Sequence, residues 1–109
     1  MPEPIRMRIN RMDGDVAQVR VLIGHPMETG LRKDPKTNEL VPLHFIKNVT
    51  VTHNGKTVLH PQWSQAISKN PFLEFRVRNA RPDDEIAISW LDNRGETSST
   101  SGRVPAAAN

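Results

Sequence analysis

Four histidines, six serines and twelve carboxylates are the side chains of this 109-residue sequence that could do chemistry, and it has no cysteine. His53 and His60 fall on one face of a hairpin predicted around Asn54-Gly55, where His53 would pair with Lys56 and His60 with Val49. Four rows at ~3.3 Å per residue separate them by about 13 Å, too far for one ion. His25 and Met27 offer an imidazole and a thioether, ligands that suit copper, but two donors are too few and no His/Met cluster completes them. The histidines therefore read as surface or loop residues. None of the serines, at 64, 68, 89, 98, 99 and 101, sits in a nucleophile-elbow pattern. Asp83, Asp84 and Glu85 follow Pro82 in a tight turn, and the six glycines are scattered singly rather than gathered into a phosphate cradle. Without cysteine, thiolate metal sites, iron–sulfur clusters, type-1 copper and thiol nucleophiles are all out of reach. The expectation is no catalytic residue, no cofactor and no metal ligand.

The elements that would position such residues are short strands. Ile5, Met7 and Ile9 alternate with Arg6, Arg8 and Asn10, the period-two signature of a half-buried strand. After a turn at 12–15, Val16 to Ile23 continues with Val19, Val21 and Ile23 on one side and Arg20 on the other. Phe45 to His53 alternates again, and Asn54-Gly55 tolerates the positive φ of a type I′ turn, which would set Val51 opposite Val58. Pro61 to Pro71 reads as an irregular crossing with one helical turn. Leu73, Phe75 and Val77 make a further inward set, then Ile86, Ile88 and Trp90, with a last strand from Glu96. Seven short strands with no long helix predict an all-β fold, an immunoglobulin-like antiparallel β-sandwich. One domain over residues 1–104 and a flexible tail over 105–109 are expected, with Ser98 to Asn109 fraying for want of apolar residues.

Residues 24–42 break the pattern with three prolines and two glycines, and long loops are often functional. Within it His25, Pro26, Met27, Glu28, Thr29 and Gly30 are the candidates for a partner interface. Met27 reads as exposed beside its proline and adaptable enough to accept a partner. The alternative is internal packing, with Met27 in the core.

Composition narrows the partner. The sequence is 36% hydrophobic with three Phe, two Trp and no Tyr, a lean core that a binding partner would stabilise. The net charge of +3 does not announce nucleic acid: residues 1–47 carry eight Lys/Arg against six Asp/Glu, and residues 48–109 carry seven against six. Aromatic stacking platforms are missing too. No stretch is long and apolar enough to span a membrane or to serve as a signal peptide.

From His25-Pro26-Met27-Glu28-Thr29-Gly30 onward the sequence resembles the SoxZ family. Val41-Pro42, His44-Phe45-Ile46, Val49-Thr50-Val51 and Asn54-Gly55 extend the match, as do Ser68 to Phe75 and Ser89 to Gly95, covering about residues 5 to 100 in order. The resemblance implies the small, non-catalytic subunit of a SoxYZ sulfur carrier in periplasmic thiosulfate oxidation. Its partner would be a cysteine-bearing SoxY subunit that holds the sulfur intermediates, with other sulfur-oxidation enzymes reached through the complex. Export would be together with that signal-bearing partner. The rival reading is a copper-binding periplasmic β-sandwich protein using His25 and Met27.

Overall fold

The alternating segments become seven strands in a computed structural model that describes residues 5–64 and 67–106. They are β1 (Ile5–Met12), β2 (Val16–Ile23), β3 (Ile46–His53), β4 (Lys56–Leu59), β5 (Phe72–Val77), β6 (Glu85–Asp92) and β7 (Thr97–Arg103). One sheet has the order β1-β2-β5 and the other β4-β3-β6-β7, with every pairing antiparallel. This is the two-sheet, immunoglobulin-like sandwich that the spacing predicts.

Alternation decides what goes inside. Ala17, Val19, Val21 and Ile23 of β2 are fully buried, as are Ile46, Val49 and Val51 of β3 and Ile86 of β6, with Ile88 and Trp90 almost so. Each such Val or Ile contributes about 1.5–3 kcal/mol through removal from water. Along one side β1 packs against β7, where a Cβ added to Gly102 would lie 3.1 Å from Ile9 Cδ1, so a glycine is what lets the strands approach. On the other side β4 is exposed along its whole length.

Three sequence expectations change. Val51 pairs with Leu59 rather than Val58, because a bulge between Val51 and Thr52 leaves Val58 unmatched and 46% exposed. His60 accordingly joins Thr50, Nδ1 to Oγ1 at 2.8 Å, while Val49 N–H donates to Pro61 O. The polar stretch after Glu96 does not fray: β7 runs to Arg103 and Val104 is buried. Backbone pairing with β6 holds it, and that requires no apolar side chains. The helical turn expected in the crossing falls partly on residues 65 and 66, outside the described residues; Ile67 N–H donates to Ser64 O nearby.

The long connection between β2 and β3 has its own order. Bridges Glu28↔His44 and Lys33↔Leu40 fold it into a narrow arm. The tip is closed by Asn38 N–H donating to Asp34 O and Lys36 N–H donating to Asp34 Oδ1. Leu31 and Leu40 on this arm are 83% and 58% exposed.

Candidate functional site: a buried histidine–aspartate cluster at the root of the arm

The inward stripes of β2 and β6 do not stop at their last hydrophobic residue. One parity step beyond Ile23 stands His25, two residues before Ile46 stands His44, and two beyond Trp90 stands Asp92. All three meet at one end of the sandwich. His25 and Asp92 are 2% and 1% exposed, and His44 is nearly covered. His25 Nε2 lies 3.1 Å and His44 Nε2 2.7 Å from the same Asp92 Oδ2. Asp92 Oδ1 accepts the backbone N–H groups of Arg94 and Glu96, both at 2.9 Å. The rings of His25 and His44 meet edge to face at 4.4 Å, and His25 stands perpendicular to Trp90 at 5.0 Å.

Two imidazoles and a carboxylate with donor atoms within 4.8 Å are the raw material of a metal centre. The hydrogen bonds argue otherwise. Met27 N–H donates to His25 Nδ1 at 3.0 Å, so Nδ1 is the acceptor and Nε2 carries the proton. His25 therefore points N–H at Asp92, with no lone pair left for an ion. Asp92 is held below the usual carboxylate range: burial alone would raise it, but the bonds from His25, His44 and the two backbone amides outweigh burial. An ionised carboxylate only accepts, so His44 Nε2 donates to it as well. Four donors thus saturate one buried anion, the condition under which a buried charge is tolerated. The arrangement is a proton-filled clamp, and its donor set does not fit a resident metal.

The clamp fixes the start of the arm. Met27 adopts φ +48°, a left-handed conformation that costs a non-glycine residue roughly 1–2 kcal/mol. Its N–H bond to His25 and the bond from Ile46 N–H to its Sδ, at 3.4 Å, hold it there. Glu28 and His44 exchange backbone hydrogen bonds immediately beyond. Asn70 closes the opposite flank, its Oδ1 accepting from His25 N–H and its own N–H donating to His25 O. Among the described residues Trp90 Nε1 is the buried side-chain polar atom without a hydrogen-bond partner.

The six candidate interface residues separate by burial. His25 and Met27 are internal, and the expectation of an exposed Met27 is corrected: its side chain is 5% exposed and engaged by Ile46. The left-handed turn at Met27 keeps the period-two stripe running inward. Pro26 and Thr29 are exposed, while Glu28 and Gly30 are half-covered. Glu28 takes a two-pronged bond from Arg32 at 3.0 and 2.7 Å, which lowers its pKa, so it is paired within the arm. The copper pair dissolves on the same geometry, because His25 Nδ1 and Met27 Sδ both already accept N–H groups. Sequence reasoning missed His44 and Asp92. The signal was present: an aspartate on the inward parity of β6 requires donors, and the ends of β2 and β6 carry a histidine and an aspartate in phase.

Fold and site together define an immunoglobulin-like sandwich with, among the described residues, a polar cluster of three buried or nearly buried titratable groups centred on a saturated carboxylate. The family model described as sulphur oxidation protein SoxZ matches residues 5–103, and the chain belongs to that family, a subunit of the Sox sulfur-oxidation system. Among curated proteins none matches significantly. Among solved structures, a superoxide reductase (neelaredoxin) from Ignicoccus hospitalis is similar with a TM-score of 0.63 and 11% identity, over 97% of this chain and 82% of that one. A hypothetical protein from Pyrococcus horikoshii follows with a TM-score of 0.60 and 14% identity, over 94% and 86%. At these identities the likeness shows the fold alone.

Proposed function

We propose that this chain is the non-catalytic scaffold subunit of a SoxYZ-type sulfur carrier, paired with a SoxY-like subunit whose cysteine holds the sulfur intermediates of thiosulfate oxidation. The observation that carries the reading is a member of the SoxZ family without a single cysteine. A chain with no thiol cannot carry sulfur in disulfide or persulfide linkage, so within a sulfur-oxidation system its role is to hold a subunit that does. The saturation of the Asp92 carboxylate and of both ring nitrogens of His25 supports this, because neither residue is left as a free base. A periplasmic location, reached by export together with a signal-bearing partner, belongs to the same proposal, as does access to the other sulfur-oxidation enzymes through the complex.

The test is intact-mass spectrometry of the co-purified pair incubated with thiosulfate and the sulfur-oxidation enzymes. Mass increments of sulfur or sulfonate are expected on the cysteine-bearing partner, and this chain stays at its unmodified mass. A sulfur adduct on this chain, or failure of the two chains to co-purify, would overturn the reading.

A further inference from the structure

We propose that the outer face of the β1-β2-β5 sheet is a reversible docking surface for a protein partner that is acidic where it makes contact. The strand registers place Arg6, Leu22 and Phe72 side by side in one row and Arg8, Arg20 and Glu74 in the next. Arg76 lies one row further, beside Gln18. The four arginines and Glu74 are exposed, as are Leu22 and Phe72 at 41% and 61%. A shallow depression of about 340 Å³ lies between the first two rows.

The charge on this face decides the partner. Arg20 Nε donates to Glu74 Oε2 at 3.0 Å, and among the described residues this is the face's only ion pair. Four arginines against one glutamate leave +3, as much as the net charge of the whole 109-residue chain. The remainder of the chain therefore sums to zero. Basic and acidic residues are evenly mixed along the sequence, but strand parity segregates them in space. Unpaired guanidinium forks match carboxylates geometrically, and Arg with aromatic residues is what protein interfaces enrich. The neighbouring Leu22 and Phe72 supply an apolar anchor.

Nucleic acid fits less well. The Glu74 carboxylate lies within the basic rows and occupies Arg20, and Phe72 is the one exposed ring on the face, short of a stacking platform. Reversibility follows from size. Three strands at ~4.8 Å spacing and three rows cover a few hundred Å², against roughly 800 Å² per partner in a stable interface. A small charged face governs encounter rate and is screened by salt. The proposal goes beyond the carrier reading and does not rest on it.

The experiment uses the ¹⁵N-labelled chain in the form in which it purifies, as the pair if it co-purifies with a partner. Three probes are titrated: a twelve-residue peptide of alternating Glu and Leu, the same peptide with Gln for Glu, and a twelve-nucleotide oligothymidylate. The acidic peptide is expected to shift amides of β1, β2 and β5, with affinity falling about tenfold between roughly 50 and 300 mM salt. Arg6→Glu with Arg8→Glu, and separately Arg76→Glu, should each weaken it, the double variant by about tenfold or more while circular dichroism is unchanged. Leu22→Ser with Phe72→Ser should weaken it as well. Equal binding of the Gln peptide, shifts mapping elsewhere, tighter binding of the oligothymidylate, or indifference to charge reversal would overturn the proposal. So would solvent protection of this face in the pair before any probe is added, since that would make it the stable subunit interface.

Discussion

Asp92 accepts four hydrogen bonds, from two imidazoles and two backbone amides, and much depends on it. Each charge-assisted hydrogen bond it accepts is worth about 1.5–3 kcal/mol, and removing one member of a buried pair strands the other. Asp92→Asn turns one acceptor oxygen into a donor facing N–H groups, and is expected to cost on the order of 3–5 kcal/mol in chemical denaturation. His25→Gln should cost less, because Asp92 keeps three donors. The same residues set the pH response. Burial lowers the pKa of His25 below its ordinary 6.5, and the hydrogen bond to Asp92, which raises it, does not compensate. Between the lowered value and 6.5 the unfolded chain binds more protons than the folded one. That contribution is therefore complete above about pH 6.5 and is lost as the pH falls below it. Thermal unfolding measured from pH 8 down to pH 5 should show a falling midpoint, with a flatter slope in His25→Gln. Lower down, the bonds from His53, the Arg81 amide and Asn54 hold Asp84 at about 2, so its contribution is lost only as the pH falls from about 4 toward that value.

At the scale of elements, the arm between β2 and β3 depends on how it leaves the sheet. Gly30 has φ +81°, which favours glycine, whereas a Cβ there would meet Leu43 Cβ at an ordinary contact distance of 3.4 Å, so the backbone and not the space sets the preference. Gly30→Ala is expected to cost about 1–2 kcal/mol and to raise amide exchange in residues 28–44 while β6 and β7 keep their protection, measured by hydrogen exchange. Strand number, inward sets and the Asn54-Gly55 turn, with φ +51° and +83°, were legible in the sequence because period two and turn chemistry are local. The Val51–Leu59 pairing was not, since a bulge depends on how β3 meets β6 as well as β4, where a second register shift falls between Ile46 and Asn48. The last strand was expected from Glu96, but its run through to Arg103 was hidden by serines and threonines, because backbone pairing leaves no mark on composition. The cluster was half legible: parity marks His25 and Asp92 as inward, but only the sheet order brings β2, β3 and β6 to the same end.

At the scale of the whole molecule, the two sides of the sandwich are unequal. β1 and β7 close one side, whereas β4 leaves Val58 and Leu59 uncovered beside β5. The core is built from Val, Ile and a few larger residues, so apolar surface remains outside on the arm, on β4 and at Phe72. Expressed alone, the chain is expected to self-associate, and with the cysteine-bearing partner proposed for it to elute as a heterodimer. Size-exclusion chromatography with light scattering at low micromolar concentration checks this; a monodisperse monomer indifferent to the partner would count against obligate pairing. Burial of a further ~800 Å² per subunit is the scale such pairing requires.

Met27 links these scales through the chemistry of oxidants. Its sulfur is shut in the core and accepts the Ile46 N–H, whereas Met7 and Met12 are only half-covered. A peroxide can reach Met27 Sδ only when the root of the arm opens, and adding oxygen would then place a polar, bulkier group in a site sized for a thioether. Sulfoxide formation at Met27 should therefore lag behind that at Met7 and Met12, and its rate should follow how often the clamp opens. Under peroxide, peptide mass mapping should show Met27 catching up with the other two in Asp92→Asn. The residue that helps hold the arm in place thereby becomes a built-in recorder of its release.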